Sequence, residues 1–85
     1  MNMIQLNESS VFRTSDISLA STIQLLSRPL EAVDRTRDPK KAEFLFLHDT
    51  QLDELIERFW KGQVSVEPKA FTDAMRYIKA RLYER

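Results

Sequence analysis

The chain has 85 residues, and its 13 Lys and Arg side chains balance its 13 Asp and Glu side chains, so the formal net charge is zero. A balanced charge gives no long-range field that would draw the whole protein to nucleic acid or to an anionic membrane. The sequence contains no cysteine, which excludes disulfides, thiolate nucleophiles and cysteine-based zinc sites. With 42% hydrophobic residues, a chain of this length predicts one small globular domain.

The N-terminal region bears on where the protein resides. Residues 1–12 contain no Lys or Arg, so the basic start of a secretory signal peptide is missing. The longest apolar run covers only residues 44–47, whereas a membrane-spanning helix needs about 20 such residues. We therefore expect a cytoplasmic protein. Residues 1–9 have no clear periodicity and predict a flexible N-terminal arm, followed by a single domain over residues 10–85.

A strand and a helix are the first predicted elements. Residues 10–13 include a valine and a phenylalanine, which favour a short strand. Residues 14–16 offer three candidate N-caps for a helix. Pro29 ends that helix, because its ring disfavours the helical conformation in the residue before it. The apolar residues at helical spacing between these signals are Leu19, Ala20, Ile23 and Leu26, with Ile17 nearby.

A β-hairpin is predicted next. Residues 30–35 can alternate as a strand, residues 37–40 form a turn, and residues 42–47 give the strongest strand signal in the chain. Side chains alternate between the two faces of a strand, and here both faces are apolar. That pattern predicts a central strand, or a strand with helices on one face and a partner on the other. The two faces carry Phe44 with Phe46 and Leu45 with Leu47.

Two more helices complete the prediction. Thr50, with Asp53 three residues later, resembles a capping box at the start of the second helix, and Gly62 fits a left-handed C-cap. Residues 64–66 could add a short strand, and Pro68 fits the first turn of a third helix. The two apolar stripes consist of Leu52, Leu55, Ile56 and Phe59, then Phe71, Ala74, Met75, Ile78 and Leu82.

The predicted order is strand–helix–strand–strand–helix–(strand)–helix. It indicates an α+β two-layer domain in which a small antiparallel sheet is packed on one face by three helices. A ferredoxin-like fold is the alternative, and RNA-recognition modules of that fold stack bases on aromatic side chains of the first and third strands. Phe12, Phe44 and Phe46 occupy the corresponding strands, so the face to which they point decides this possibility.

One stretch of sequence is similar to a known pattern. Phe12-x-Thr14-Ser15-Asp16-x-x-Leu19-Ala20 resembles the opening of a small uncharacterised bacterial and phage domain family. The resemblance continues through the charged hairpin, the aromatic strand, the helix ending in Phe59-x-x-Gly62, and Val66-x-Pro68-x-x-Phe71, so it covers about residues 11–83. Arg28-Pro29 departs from it, since a glycine is expected there. The resemblance implies one domain and no particular activity.

Reactive chemistry is sparsely represented. His48 lacks an accompanying nucleophile motif, so we interpret it as a strand-end residue near the second helix. Asp53 and Glu57 lie one helical turn apart, but a metal site needs further ligands. Glu67 and Lys69 have a nuclease-like spacing that the intervening proline disrupts. We predict no catalytic, cofactor-binding or metal-binding residues, no cofactor, and no enzymatic activity.

Two kinds of surface remain as candidates for binding. The first hypothesis is an adaptor that contacts another protein or a second copy of itself, as a homo-oligomer or a subunit of a larger assembly. Its contacts would come from the second apolar face of the strand over residues 42–47 and from aromatic side chains at the edges of the apolar stripes. The alternative is nucleic-acid binding by a basic hairpin and a basic C-terminal helix. The interface candidates are Leu45, Leu47, Trp60, Tyr77 and Tyr83. The nucleic-acid candidates are Arg35, Arg37, Lys40, Lys41, Arg76 and Lys79.

Overall fold

Three strands and three helices form the structure, a computed structural model that describes residues 10–38 and 40–84. The predicted N-terminal arm, residues 1–9, lies outside the described residues. The predicted α+β domain with a small antiparallel sheet and three helices is confirmed. The elements are β1 (Val11–Thr14), α1 (Ile17–Leu26), β2 (Ala32–Asp34), β3 (Glu43–Leu47), α2 (Thr50–Trp60) and α3 (Pro68–Leu82).

The sheet has the order β1-β3-β2, and β3 is antiparallel to both neighbours. The central position predicted for the doubly apolar strand is therefore confirmed. Since β1 and β2 both oppose β3, they run parallel to each other with β3 between them, which is a split β-α-β unit. This arrangement matches the first three strands of the ferredoxin-like alternative. The extra strand predicted at residues 64–66 is not formed, because that segment is unpaired and Val64 packs against the core instead.

One face of the sheet carries the hydrophobic core. The register places Phe12 opposite Phe46 and Val33 opposite Phe44, so these four side chains share a face. Phe44 and Phe46 are buried, with 1% and 0% of their surface exposed, and Phe12 packs against them. The aromatic side chains of β1 and β3 therefore face the helices, where they cannot stack on bases. The same cluster contains residues from all three helices: Leu19, Ala20 and Ile23 of α1, Leu52 and Leu55 of α2, and Ile78 of α3.

Local signals position the helices against this face. The carboxylate of Asp16 accepts a hydrogen bond from the Leu19 amide and caps α1, one of the three positions predicted. Pro68 lies in the first turn of α3, as predicted, and the Glu67 carboxylate caps that turn. Gly62 has a φ of 71°, the left-handed conformation expected of a glycine that follows a helix.

The capping prediction for α2 was wrong by one residue. Asp49 is the N-cap, and its Oδ1 accepts from the Leu52 amide at 2.9 Å. Asp49 has extended backbone, which an N-cap requires, whereas Thr50 is already helical. The Asp53 carboxylate, predicted to complete the capping pair, instead accepts a hydrogen bond from His48.

One member of the first apolar stripe is also placed differently from the prediction. Leu26, the last residue of α1, is 48% exposed. Leu30, which follows Pro29, is buried in the core instead, and its amide donates to the Gln24 side chain at 2.8 Å. The chain reversal after α1 therefore brings a leucine from outside the helix into the core.

The helices pack against one another mainly through α1. α1 packs along α3 and more briefly against α2. The segment that follows α3 approaches the end of β2, where an Arg35 Nη2 atom donates to the Glu84 carbonyl at 3.4 Å. Within the described residues, no helix is both long enough and apolar enough to cross a membrane.

Candidate functional site

The sheet face opposite the core is a candidate contact surface. Strand alternation places there the residues that lie between the core-facing ones. Within residues 10–38 and 40–84, the helices contribute to the core on the other side, and none is described on this face. We call this surface the open face. It consists of Val11 and Arg13 of β1, Ala32 and Asp34 of β2, and Glu43, Leu45 and Leu47 of β3.

An ion network crosses the open face and joins all three strands. Arg13 Nη1 lies 2.8 Å from Asp34 Oδ2 and 3.3 Å from Glu43 Oε1. Arg37 adds a longer contact of 3.9 Å to the same Glu43 oxygen. The side chains of Arg13 and Asp34 are only 21% and 15% exposed, so this network is more shielded than a typical surface ion pair. Its charges compensate each other, and the open face consequently combines local neutrality with aliphatic side chains.

Hydrogen bonding tunes the acidity of this network. The Arg13 guanidinium donates to the Asp34 carboxylate and holds the pKa of that carboxyl well below its usual range. The hydroxyl and the amide of Thr36 both donate to the other carboxylate oxygen, at 2.6 and 2.8 Å, and lower the same pKa further. Asp34 is therefore held as an anion by its neighbours, which suits a structural ion pair.

A second ionic contact fixes the end of β3 to the helix layer. Arg28 Nη2 lies 2.8 Å from Asp49 Oδ1, and Arg28 Nη1 donates to the Leu47 carbonyl at 3.0 Å. The hydrogen bond from Arg28, followed by the one from the Leu52 amide, lowers the pKa of the Asp49 carboxyl. Arg28 thus joins the segment that follows α1 to the start of α2, at the position where the family resemblance implied a glycine.

These lowered pKa values predict how stability depends on pH. When folding lowers the pKa of a carboxyl group, the ionised group stabilises the folded protein at every pH above the pKa of the unfolded state. That stabilisation is lost as the pH falls toward the lower pKa of the folded state. We therefore expect the free energy of unfolding, measured in urea, to decline as the pH drops below about 4. The decline should be shallower for Asp34→Asn than for the unmodified protein.

Glu54→Gln is the matched control for that measurement, because it removes an exposed carboxylate from α2, away from the sheet. It should leave the pH dependence unchanged. Equal slopes for Asp34→Asn and the unmodified protein would show that the Arg13 network does not perturb Asp34.

The residues considered for catalysis or metal binding have structural partners. His48 Nε2 lies 2.8 Å from Asp53 Oδ1, and Glu57 Oε1 lies 3.5 Å from Lys61 Nζ. Glu67 accepts hydrogen bonds from two amides of the first turn of α3. In the described part of the chain, no three His, Asp or Glu side chains are grouped so that they could hold a metal ion.

The predicted interface side chains are exposed to different degrees and lie on different surfaces. Leu45 is half-buried and Leu47 is 37% exposed, and both lie on the open face. Trp60 is 62% exposed at the end of α2, where its ring meets Phe59 edge-on at 4.9 Å. Tyr77 and Tyr83 are exposed on the side of the helix layer. The structure therefore brings only the two leucines together.

The predicted basic residues are likewise divided. Arg35, Arg37, Lys40 and Lys41 lie on the connection between β2 and β3, whereas Arg76 and Lys79 lie on α3. Arg76 Nη1 is 3.7 Å from Asp73 Oδ1, so part of its charge is compensated on its own helix. The residue of α3 that approaches the hairpin is Arg81, which sequence reasoning did not single out.

A groove beside β2 brings these two regions together. It has a volume of about 490 Å³, and we call it the edge groove. Arg81 lines it but is already engaged, because its Nη1 donates to the Tyr77 hydroxyl at 2.8 Å and its Nε lies 3.4 Å from Glu84 Oε1. The groove therefore presents both charge signs rather than a basic surface. Its lining residues are Glu31, Ala32, Val33, Arg35, Thr36, Arg81 and Glu84.

The strand order and the one-sided helix layer define a small α+β domain built on a split β-α-β sheet. Comparison with protein families gives the particular assignment. The chain belongs to the family described as Domain of unknown function (DUF5659), whose model matches residues 9–84. The expected membership of a small uncharacterised domain family is thereby confirmed. No curated protein and no solved structure matches the chain.

Proposed function

We propose that this protein is a non-enzymatic binding module that contacts another protein through the open face of its sheet. The observation that carries the proposal is the aliphatic surface of Val11, Leu45 and Leu47 on a face where no helix is described. Helices bury one face of a sheet, and an apolar second face favours coverage by another molecule.

Charge indicates the chemistry of the partner. The Arg13, Asp34, Glu43 and Arg37 side chains compensate one another within the face, so they offer little net attraction to a polyanion. A partner that presents an uncharged aliphatic surface can cover the leucines without burying an unpaired charge of its own in the contact. We therefore propose a partner with an aliphatic contact surface.

The small area of the open face indicates that a single copy of the protein binds its partner with modest affinity. Strands about 4.8 Å apart, each of three to five residues rising about 3.3 Å, make a face of roughly 200 Å². Stable protein interfaces bury about 800 Å² on each partner. The open face of a single copy is thus suited to a short segment of a partner, or to one part of a larger contact.

Peptide selection with a defined probe tests this function. We would select a random phage-displayed library of dodecapeptides against the unmodified protein, then measure the enriched peptides against Leu47→Lys. The enriched peptides should be aliphatic and uncharged, and should bind the variant at least about tenfold more weakly, because the new charge is desolvated in the contact.

Trp60→Lys is the control, since it places the same charge at another exposed apolar site, on α2. Circular dichroism would verify that both variants fold. Peptides that bind Leu47→Lys and the unmodified protein equally, or that lose affinity only for Trp60→Lys, would contradict a contact through the open face.

Nucleic-acid binding remains the alternative function, supported by the contact of Arg35 with Glu84, just after the end of α3. That contact brings the basic hairpin near the basic end of the helix, as the alternative requires. The ion pairs of Arg37, Arg76 and Arg81 with nearby carboxylates weigh against it. Binding of single-stranded or duplex probes at low salt, lost on changing Lys40 and Lys41 to Gln, would favour this alternative over the first.

A further inference from the structure

The outer edge of β2 is available for pairing. β2 is an edge strand in the order β1-β3-β2, and no described strand lies beyond it. Edge strands present backbone N–H and C=O groups that can pair with another chain. The edge groove lies beside this strand and provides open space between β2 and the last turn of α3.

The sequence along this edge is complementary to itself. It reads Glu31-Ala32-Val33-Asp34-Arg35. If two copies run antiparallel with Val33 opposite Val33, then Glu31 of each copy lies opposite Arg35 of the other. Ala32 of each copy then lies opposite Asp34, so no like charges face each other directly. Opposite charges across paired strands stabilise a sheet, and like charges in that position destabilise it.

The groove supports the same pairing. Glu31, Val33 and Arg35 alternate along the chain, so they project to the same side of the strand, and all three line the groove. Val33 belongs to the core-facing side and is only half-buried, which leaves an apolar floor between an acid and a base. An occupant must therefore offer an apolar side chain flanked by both charge signs. A second copy of β2 meets that requirement.

We propose that the occupant of this edge is a second copy of the chain, paired antiparallel through β2 across a twofold axis. The two three-stranded sheets then form one continuous six-stranded sheet. Such an interface is isologous, since each copy uses the same patch. The two open faces also become one surface of roughly 400 Å², which enlarges the area available to the proposed partner contact.

β2 has only three residues, so backbone pairing alone gives a weak contact. Charge is therefore the property to manipulate. Each single charge reversal, Glu31→Lys or Arg35→Glu, makes both ionic contacts of the symmetric dimer repulsive. A mixture of these two variants restores both contacts. The introduced lysine of one copy then faces the introduced glutamate of the other, and the unchanged Arg35 of the first copy faces the unchanged Glu31 of the second.

Sedimentation equilibrium from micromolar to millimolar protein tests the pairing. The unmodified protein should dimerise, and each single variant should dimerise at least about tenfold more weakly. An equimolar mixture of the two variants, and the double variant E31K/R35E, should return to within about threefold of the original dissociation constant. Asp38→Lys and Lys41→Glu are matched controls, because they reverse exposed hairpin charges outside the five-residue edge, and they should leave dimerisation unchanged.

Circular dichroism on every variant verifies that a loss of dimerisation does not come from a loss of folding. A monomer at all concentrations, single variants that dimerise normally, or a mixture that fails to recover would each overturn pairing through β2. Dimerisation that is lost in Leu47→Lys but retained in both edge variants would also overturn it, and would place self-association on the open face. The peptide measurement on Leu47→Lys is independent of these outcomes, so the two proposals fail separately.

Discussion

Replacing Phe46 with alanine is expected to lower the free energy of unfolding by about 3–5 kcal/mol. Phe46 has no exposed surface and lies on the central strand, opposite Phe12 and in the same cluster as the buried residues of all three helices. Alanine would remove the ring and leave a cavity that surrounding elements can fill only in part. A domain of this kind has a total stability of about 5–15 kcal/mol, so the loss would be a large fraction of it.

Urea denaturation followed by circular dichroism measures this change, and Leu47→Ala is the matched control. Leu47 is the next residue of the same strand, but its side chain lies on the open face and is 37% exposed. We expect the control to cost no more than about 1 kcal/mol. Comparable losses for the two variants would mean that the two faces of β3 are equally covered, which contradicts the one-sided helix layer.

The second large effect is expected at Ile78, the fully buried residue of α3. Alanine at this position should lower the free energy of unfolding by about 2–5 kcal/mol. Ile78 is the member of the core cluster contributed by α3, whose packing against α1 completes the helix layer. Its loss therefore weakens the attachment of the C-terminal helix as well as the core.

Lys79→Ala is the control for Ile78, because it changes an exposed neighbour on the same helix. Its effect should lie within about 0.5 kcal/mol of zero. Hydrogen exchange adds a positional test, since Ile78→Ala should accelerate amide exchange in α1 and α3 before it does so in β3. A uniform small effect at Ile78 would contradict the packing of α3 on this core.

The helix positions were predictable from sequence because their signals are local. Pro29 and Pro68 restrict the backbone wherever they occur, and Gly62 readily adopts the left-handed conformation that ends a helix. The apolar spacing between these residues indicates helices without knowledge of the fold. The α2 cap was misassigned because Asp49 and Thr50 are both good capping residues, and the choice between them depends on where the chain leaves β3.

The ion network was not predictable in the same way. Arg13, Asp34 and Glu43 come from three strands, and they meet only after the strand order and register are known. The alternation of side chains along a strand places Arg13 and Phe12 on opposite faces of the sheet, but it does not identify which carboxylates lie near Arg13. Arg28 was missed for a related reason, since its partners belong to the junction of β3 and α2, about twenty residues away.

The candidate surfaces were only partly predictable. Sequence reasoning identified the second apolar face of β3, and the structure places Leu45 and Leu47 there. Sequence reasoning did not show that these leucines lie on a different surface from Trp60 and the tyrosines. Amphipathic patterns indicate which side of a helix is apolar, but not how the helices lie around a sheet. The self-complementarity of residues 31–35 becomes meaningful only once β2 is known to be an edge strand.

We propose that this protein acts through its sheet, and pairing at the β2 edge is the part of that proposal that a single measurement tests most directly. The most direct test is an NMR titration of the ¹⁵N-labelled protein with unlabelled protein. The account predicts concentration-dependent amide shifts at residues 31–36 and in the last turn of α3. Shifts concentrated around Trp60 and the rest of α2, or spectra that do not change up to millimolar concentration, would contradict pairing at the β2 edge.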